Sequence, residues 1–87
     1  RINKMIEVLF FAKLREDLGV SRLSIEITPE ITNVASLQNW LIDQYGESWA
    51  VILNNNIIRS VNQQVVESDH VISDGNEVAF FPPVTGG

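Results

Sequence analysis

Two glycines, Gly86 and Gly87, close the sequence behind Pro82-Pro83-Val84-Thr85, and their type and position lend themselves to chemistry on a main-chain carboxylate. With no side chain at either position, a narrow channel admits the backbone and a reagent can approach the carboxylate from any side. The prolines withhold two N–H donors and restrict φ. A strand arriving at Phe81 is therefore predicted to leave its sheet and continue through residues 82–87 as a stiff, extended arm. The four residues from Val84 to Gly87 span roughly 14 Å when extended, enough to carry a carboxylate into another protein's pocket. The competing reading is an inert end of small residues, which many chains have. The direct succession of apolar strand, Pro-Pro and Gly-Gly favours a working terminus.

No other residues form a self-contained catalytic set. His70 is the single histidine and sits in a polar stretch of a chain without cysteine. Neither a metal site nor a Ser-His pair is supported, and a solvated or capping role fits it better. Glu16, Asp17 and Glu47 have no spacing that marks an acid/base pair. Trp40 and Trp49 flank the end of a predicted helix, where core packing accounts for them better than ligand stacking. Gly19, Gly46 and Gly75 are isolated and make no phosphate loop. Chemistry at Gly87 must then be performed with another protein's residues.

The elements that position the terminus follow from the rest of the chain. Its 87 residues make one small domain, which buries somewhat more than about 60% of its unfolded surface. At 45% hydrophobic and 20% charged residues the composition is globular. A net charge of −5 with six scattered Lys and Arg argues against nucleic acid and suits a basic protein partner. The longest apolar run, Val8–Ala12, is too short for a membrane span, no leader precedes it, and the cytoplasm is the expected location. Residues 1–4 are either an expression remnant or an extended start, and 5–81 is the expected domain.

Met5–Phe11 reads as a strand with Ile6, Val8 and Phe10 facing the core, and Glu7, Leu9 and Phe11 on the other face. Ala12–Leu18 reads as a short helix closed by Gly19. Leu23–Ile27 alternates as a second strand antiparallel to the first. Val34, Leu37, Leu41 and Tyr45 recur at helical spacing behind Thr32 or Asn33 as cap, and Gly46 ends that helix. Ala50–Leu53 is predicted to be a short strand, Asn54–Asn56 a turn, and Ile57–Val61 the return strand, with Gln63–Val66 continuing extended. Asp74-Gly75 signals a turn before a last strand, Glu77–Phe81, with Val78 and Phe80 inward. The order fits an α+β fold with one main helix packed across a sheet. Leu9, Phe11, Val65 and Phe81 would then share an exposed apolar face, an interface candidate.

The segment Asp74-Gly75-Asn76-Glu77-Val78-Ala79-Phe80-Phe81-Pro82-Pro83-Val84-Thr85-Gly86-Gly87 resembles the C-terminal signature of the small, sulfur-carrying subunits of molybdopterin synthase, a β-grasp (ubiquitin-like) family. Ile6–Glu16, with Arg15-Glu16, is similar to that family's first strand and short helix, and Val61-Asn62-Gln63 to its centre. Asn54-Asn55-Asn56 departs from it, standing where a more acidic, glycine-containing turn is expected.

The resemblance implies a β-grasp fold with a mixed sheet. It also implies that an activating enzyme adenylates Gly87 with ATP, and that sulfur transfer then makes a terminal thiocarboxylate. Inserted into the large synthase subunit, this sulfur would attack the cyclic pyranopterin precursor to build the dithiolene. Gly86, Thr85 and Val84 would form the inserted tail, and Phe11, Val65 and Phe81 the docking face. No metal and no bound cofactor are implied on this chain. Alternatives are a thiamin-thiazole sulfur carrier, a ubiquitin-like modifier joined to lysines through Gly87, and an inert interaction domain.

Overall fold

A computed structural model describes residues 3–82; the expectations placed on Val84, Thr85, Gly86 and Gly87 lie outside them. The sheet is built outward from two apolar strands. In β1 (Met5–Phe10), Ile6, Val8 and Phe10 are buried and alternate with half-exposed Glu7 and Leu9. In β5 (Glu77–Phe81), Val78 and Phe80 are buried. These strands run parallel and in step, Glu7 opposite Glu77 through to Phe10 opposite Phe80. Being central, they carry the fully buried positions.

On the outer side of β1, β2 (Arg22–Glu26) pairs antiparallel, with Ile6 opposite Ile25. Beyond β5, β3 (Ile58–Val61) pairs antiparallel, and β4 (Gln64–Val65) closes the edge. The mixed sheet has the order β2-β1-β5-β3-β4.

Two helices cover the inner face region. α1 (Ala12–Leu18) ends where Gly19, at φ +76°, turns left-handed and gives its N–H to the Arg15 carbonyl. α2 (Val34–Tyr45) starts at Asn33, whose side chain accepts from the Ser36 N–H at 2.8 Å while the Ser36 hydroxyl accepts from the Asn33 N–H at 2.9 Å. This reciprocal cap satisfies two donors that a helix start otherwise leaves unpaired. Val34, Leu37 and Leu41 are buried against the sheet. Tyr45, expected on the same stripe, is instead 47% exposed and lies against Trp49 with ring centroids 4.5 Å apart. Trp49 is buried and meets Phe10 edge-on at 5.4 Å, while Trp40 is half-buried at the core margin. Each such buried apolar side chain contributes about 1.5–3 kcal/mol.

Two predicted segments differ. Ala50–Leu53 is not a strand; it belongs to a 3-10 helix, Glu47–Leu53. Trp49 and Ile52, three residues apart, are both buried, and a three-residue repeat puts both on one side, whereas a strand would send them to opposite faces. Gln63–Val66 does not simply extend the preceding strand. The chain reverses at Asn62-Gln63, both at positive φ (+51° and +72°), so that Gln64 returns opposite Val61. Among the described residues, no helix is long and apolar enough to cross a membrane.

Gln38 ties the layers together. Its side chain is buried, Nε2 donates to the Ile52 carbonyl at 2.6 Å, and Oε1 accepts from Arg59 Nε at 3.3 Å. Gln38→Leu keeps the bulk but leaves a buried carbonyl without that donor. The expected loss is about 1–3 kcal/mol, read as a lower thermal midpoint by circular dichroism; an unchanged midpoint would contradict the bridging role.

Candidate functional site

Strand alternation gives the sheet a second face. Opposite the core, Leu9, Phe11, Ser60, Gln63, Val65, Glu77, Ala79 and Phe81 line a shallow depression of about 250 Å³. Phe11 is 37% and Val65 75% exposed, Phe81 is half-buried, and Ala79 is the small buried floor between them. The rings of Phe11 and Phe81 stack with centroids 4.7 Å apart and planes 4° from parallel. The three residues expected to form a docking face therefore share one concave apolar surface, and Phe81 joins that surface to Pro82.

Backbone contacts fix where this surface meets the chain end. The Met5 N–H donates to Asp74 Oδ1 at 2.8 Å, the Gly75 N–H to the Met5 carbonyl at 2.8 Å, and the Glu7 N–H to the Asn76 carbonyl at 3.0 Å. Gly75 has φ +85°, a conformation that glycine adopts without steric cost. This turn sets the β1–β5 register and so the point at which β5 stops. Asn62 secures the other side. Its N–H donates to the Glu77 carbonyl at 2.8 Å, and its Oδ1 accepts from the Glu77 N–H at 2.9 Å. Asparagine tolerates the left-handed turn, and its amide completes the start of β5. At the far end, the Phe11 N–H donates to the Phe80 carbonyl at 3.3 Å, and proline at position 82 has no N–H with which to continue.

Charge is arranged beside the apolar surface. Glu7 accepts from Ser24 Oγ at 2.6 Å and from Arg22 Nε at 2.8 Å. The Ser24 hydrogen bond first, then Arg22, hold its carboxyl below the usual range, and Glu7 in turn raises Arg22. A carboxyl whose pKa is depressed on folding adds stability above its unfolded value near about 4.3, and that stability is lost as pH falls through the lower folded value. Glu7→Gln should therefore flatten the fall of the thermal midpoint below about pH 4.3 and change little at neutral pH, where exposed ion pairs contribute little. An identical acid limb in both chains would refute the contribution.

The remaining candidates lie apart. Lys13 and Asp17 form an exposed pair at 3.2 Å, and Glu16 and Glu47 are exposed. His70 is exposed, and it is its carbonyl, not its ring, that accepts the Val34 N–H at the start of α2. Among the described residues, no His, Cys, Asp and Glu side chains cluster to hold a metal ion.

The ThiS family profile matches residues 8–87. The chain belongs to the ThiS family. The molybdopterin synthase sulfur carrier subunit of Escherichia coli K12 is 43% identical to it over 84 residues, covering 95% of this chain and 100% of that protein. The small archaeal modifier protein 1 from Methanosarcina acetivorans superposes with a TM-score of 0.75 at 24% identity, covering 100% of both chains. In the complex of subunits 1 and 2 of the molybdopterin-converting factor from Helicobacter pylori, a chain matches at TM-score 0.63 and 18% identity, covering 95% of this chain and 99% of that one. At these identities the structural likeness shows the fold, a ubiquitin-like β-grasp.

Within this ThiS-family chain, three positions shape the site without standing out by residue type. Ala79 is the floor of the depression, Asn62 docks the β3–β4 hairpin on β5, and Ala12 turns the chain at φ +53°. Asn62 has a signal in the Val61-Asn62-Gln63 triplet, and Ala79 in strand parity. Ala12 has none.

Proposed function

We propose that this chain is the sulfur carrier subunit of a molybdopterin synthase. The observation that carries the reading is the 43% identity to the Escherichia coli subunit of that name, end to end on that protein. The apolar depression at the root of the tail supports it, because a partner that receives residues 83–87 also meets Phe81, Phe11 and Val65. Such partners are the large synthase subunit and an activating enzyme. That two subunits of the Helicobacter pylori factor occur in one complex agrees with the first.

The chemistry follows from what a carboxylate lacks. An ionised carboxylate is a poor electrophile with no leaving group. A Gly87 oxygen attacks ATP at phosphorus and expels pyrophosphate, and the resulting acyl adenylate carries AMP as leaving group. Sulfide-level sulfur from a donor attacks the same carbon, the new C–S bond replaces the acyl C–O bond to AMP, which leaves with its electron pair, and loss of a proton gives the thiocarboxylate. Held in the large subunit, that sulfur is the nucleophile toward the cyclic pyranopterin precursor. Water cleaves the resulting thioester at the acyl carbon, which returns the Gly87 carboxylate and leaves the sulfur behind, and two such transfers build a dithiolene. The carrier contributes a side-chain-free approach at Gly86 and Gly87, a short tail through Val84 and Thr85, and a docking face. It works in the cytoplasm without a bound cofactor.

The test is intact-protein mass spectrometry after incubation with an activating enzyme, ATP and a sulfur donor. A mass change equal to replacement of one oxygen by sulfur, localised to Gly87, is expected. No change with an enzyme proven active on another carrier would overturn the reading; isopeptide conjugates in its place would indicate a modifier.

A further inference from the structure

We infer that the β2 edge of the sheet is a self-association surface: a second copy of this chain adds its own β2 antiparallel about a two-fold axis at Ser24, so that Arg22 of each copy faces Glu26 of the other. The sheet order β2-β1-β5-β3-β4 leaves two edges. β4 has only two residues, and an edge that short offers little to pair with. β2 has five residues, without proline, in unbroken register with β1.

The ladder fixes which backbone groups of β2 are open. Hydrogen-bonded pairs alternate along an antiparallel pair of strands. The Phe10 N–H donates to the Ser21 carbonyl at 3.0 Å and the Ile27 N–H to the Lys4 carbonyl at 2.8 Å, which sets the phase. Leu23 and Ile25 therefore turn their main-chain groups toward β1, and Arg22, Ser24 and Glu26 turn theirs outward. Among the described residues, none forms a backbone hydrogen bond with those outward groups.

The side chains select the occupant. Charges on an edge strand deter indiscriminate pairing, but Arg22 and Glu26 stand at equal distances on either side of Ser24 and have opposite signs. Antiparallel pairing of β2 with itself places each arginine opposite a glutamate, and opposite charges directly across a ladder stabilise it. Arg22 uses its Nε for Glu7, which leaves its terminal nitrogens as donors for a facing carboxylate. Glu26 has no ion pair among the described residues. On the helix side of the sheet, half-buried Leu23 would lie beside Ile25 of the second copy and lose its remaining exposure. The net charge of −5 makes two copies repel at long range, a term that salt screens. Interfaces below about 1,200 Å² are typical of weak, transient pairings, so the dimer belongs to high protein concentration. Because β1 separates β2 from β5, the dimer leaves Phe11, Val65 and Phe81 uncovered and sets both apolar depressions on the same side of the joined sheet. The inference stands on the fold and is independent of the sulfur carrier reading.

The experiment follows the full chain through a concentration series at physiological salt, by sedimentation velocity and by amide hydrogen exchange in NMR. A monomer–dimer equilibrium is expected. Exchange at Arg22, Ser24 and Glu26 should slow at least about tenfold as dimer forms, while Leu23 and Ile25, bonded to β1, are protected throughout. Arg22→Glu and Glu26→Arg, each shown folded by circular dichroism, put like charges face to face and should each weaken self-association about tenfold. An equimolar mixture of the two restores opposite charges at both positions and should regain the native dimer.

A native chain that stays monomeric throughout overturns the inference. So does protection that appears instead at Gln64 and Val65, which would mean pairing through β4, and so does a mixture that associates no better than its components. Where Arg22→Glu fails to fold, Glu26→Arg alone decides, since it breaks no ion pair within the chain: native self-association of that variant refutes the proposed register.

Discussion

Removal of Gly87 lowers the rate of ATP-dependent sulfur loading by at least about a hundredfold, with binding to the large subunit and the activating enzyme largely retained. The truncated chain still ends in a glycine carboxylate, at Gly86, so the effect is one of reach. One residue of extended chain is about 3.5 Å, longer than the whole hydrogen-bonding distance over which a nucleophile and phosphate must be aligned. Gly86→Val separates reach from width. The tail keeps its length, but a β-branched side chain now stands next to the reacting carbon, and any substitution larger than alanine should obstruct entry or activation. Intact mass spectrometry over a time course reads both chains. Loading of either at the native rate would sink the assignment of chemistry to the Gly-Gly end.

Much of the mount for that end is legible in the residues. The alternation Ile6, Val8, Phe10 and Val78, Phe80 is a strong signal because a one-residue slip would expose all five apolar side chains. The same parity places Leu9, Phe11 and Phe81 together on the opposite face, where the structure has them. The main helix announces itself through its period and through Asn33 and Gly46 at its ends. The segment after Gly46 is harder to read because Ala50–Leu53 is a short apolar run, and such runs look alike as strand or helix until the partners of Trp49 and Ile52 are known. The reversal at Asn62-Gln63 lacks the glycine that usually marks a two-residue hairpin. Its stability comes from the Asn62 contacts with Glu77, fifteen positions away in sequence. Ala12 lies beyond sequence reasoning for a related reason. Alanine signals a helix interior, yet here it opens α1 at φ +53°.

A charge at Val65 should disable docking while leaving the fold intact. Val65 is 75% exposed on a two-residue edge strand, so Val65→Asp should change stability by no more than about 0.5 kcal/mol. On a surface that must be desolvated to bind, the same carboxylate faces Phe11 and Phe81 across the depression without a cation among its lining residues. A loss of about 2–4 kcal/mol in binding follows, or roughly 30- to 1000-fold in Kd. Isothermal titration against both the large subunit and the activating enzyme tests whether the two share this face; native affinity for both would remove it from the docking surface. Phe81→Ala is a poorer probe, because it also breaks the stack with Phe11 and weakens the fold at the root of the tail. The Val65→Asp chain and the chain lacking Gly87 should fail in opposite ways: raising the concentration of activating enzyme restores loading of the first and does nothing for the second. That contrast separates a face that brings the terminus to its partners from a terminus that reacts once it is there.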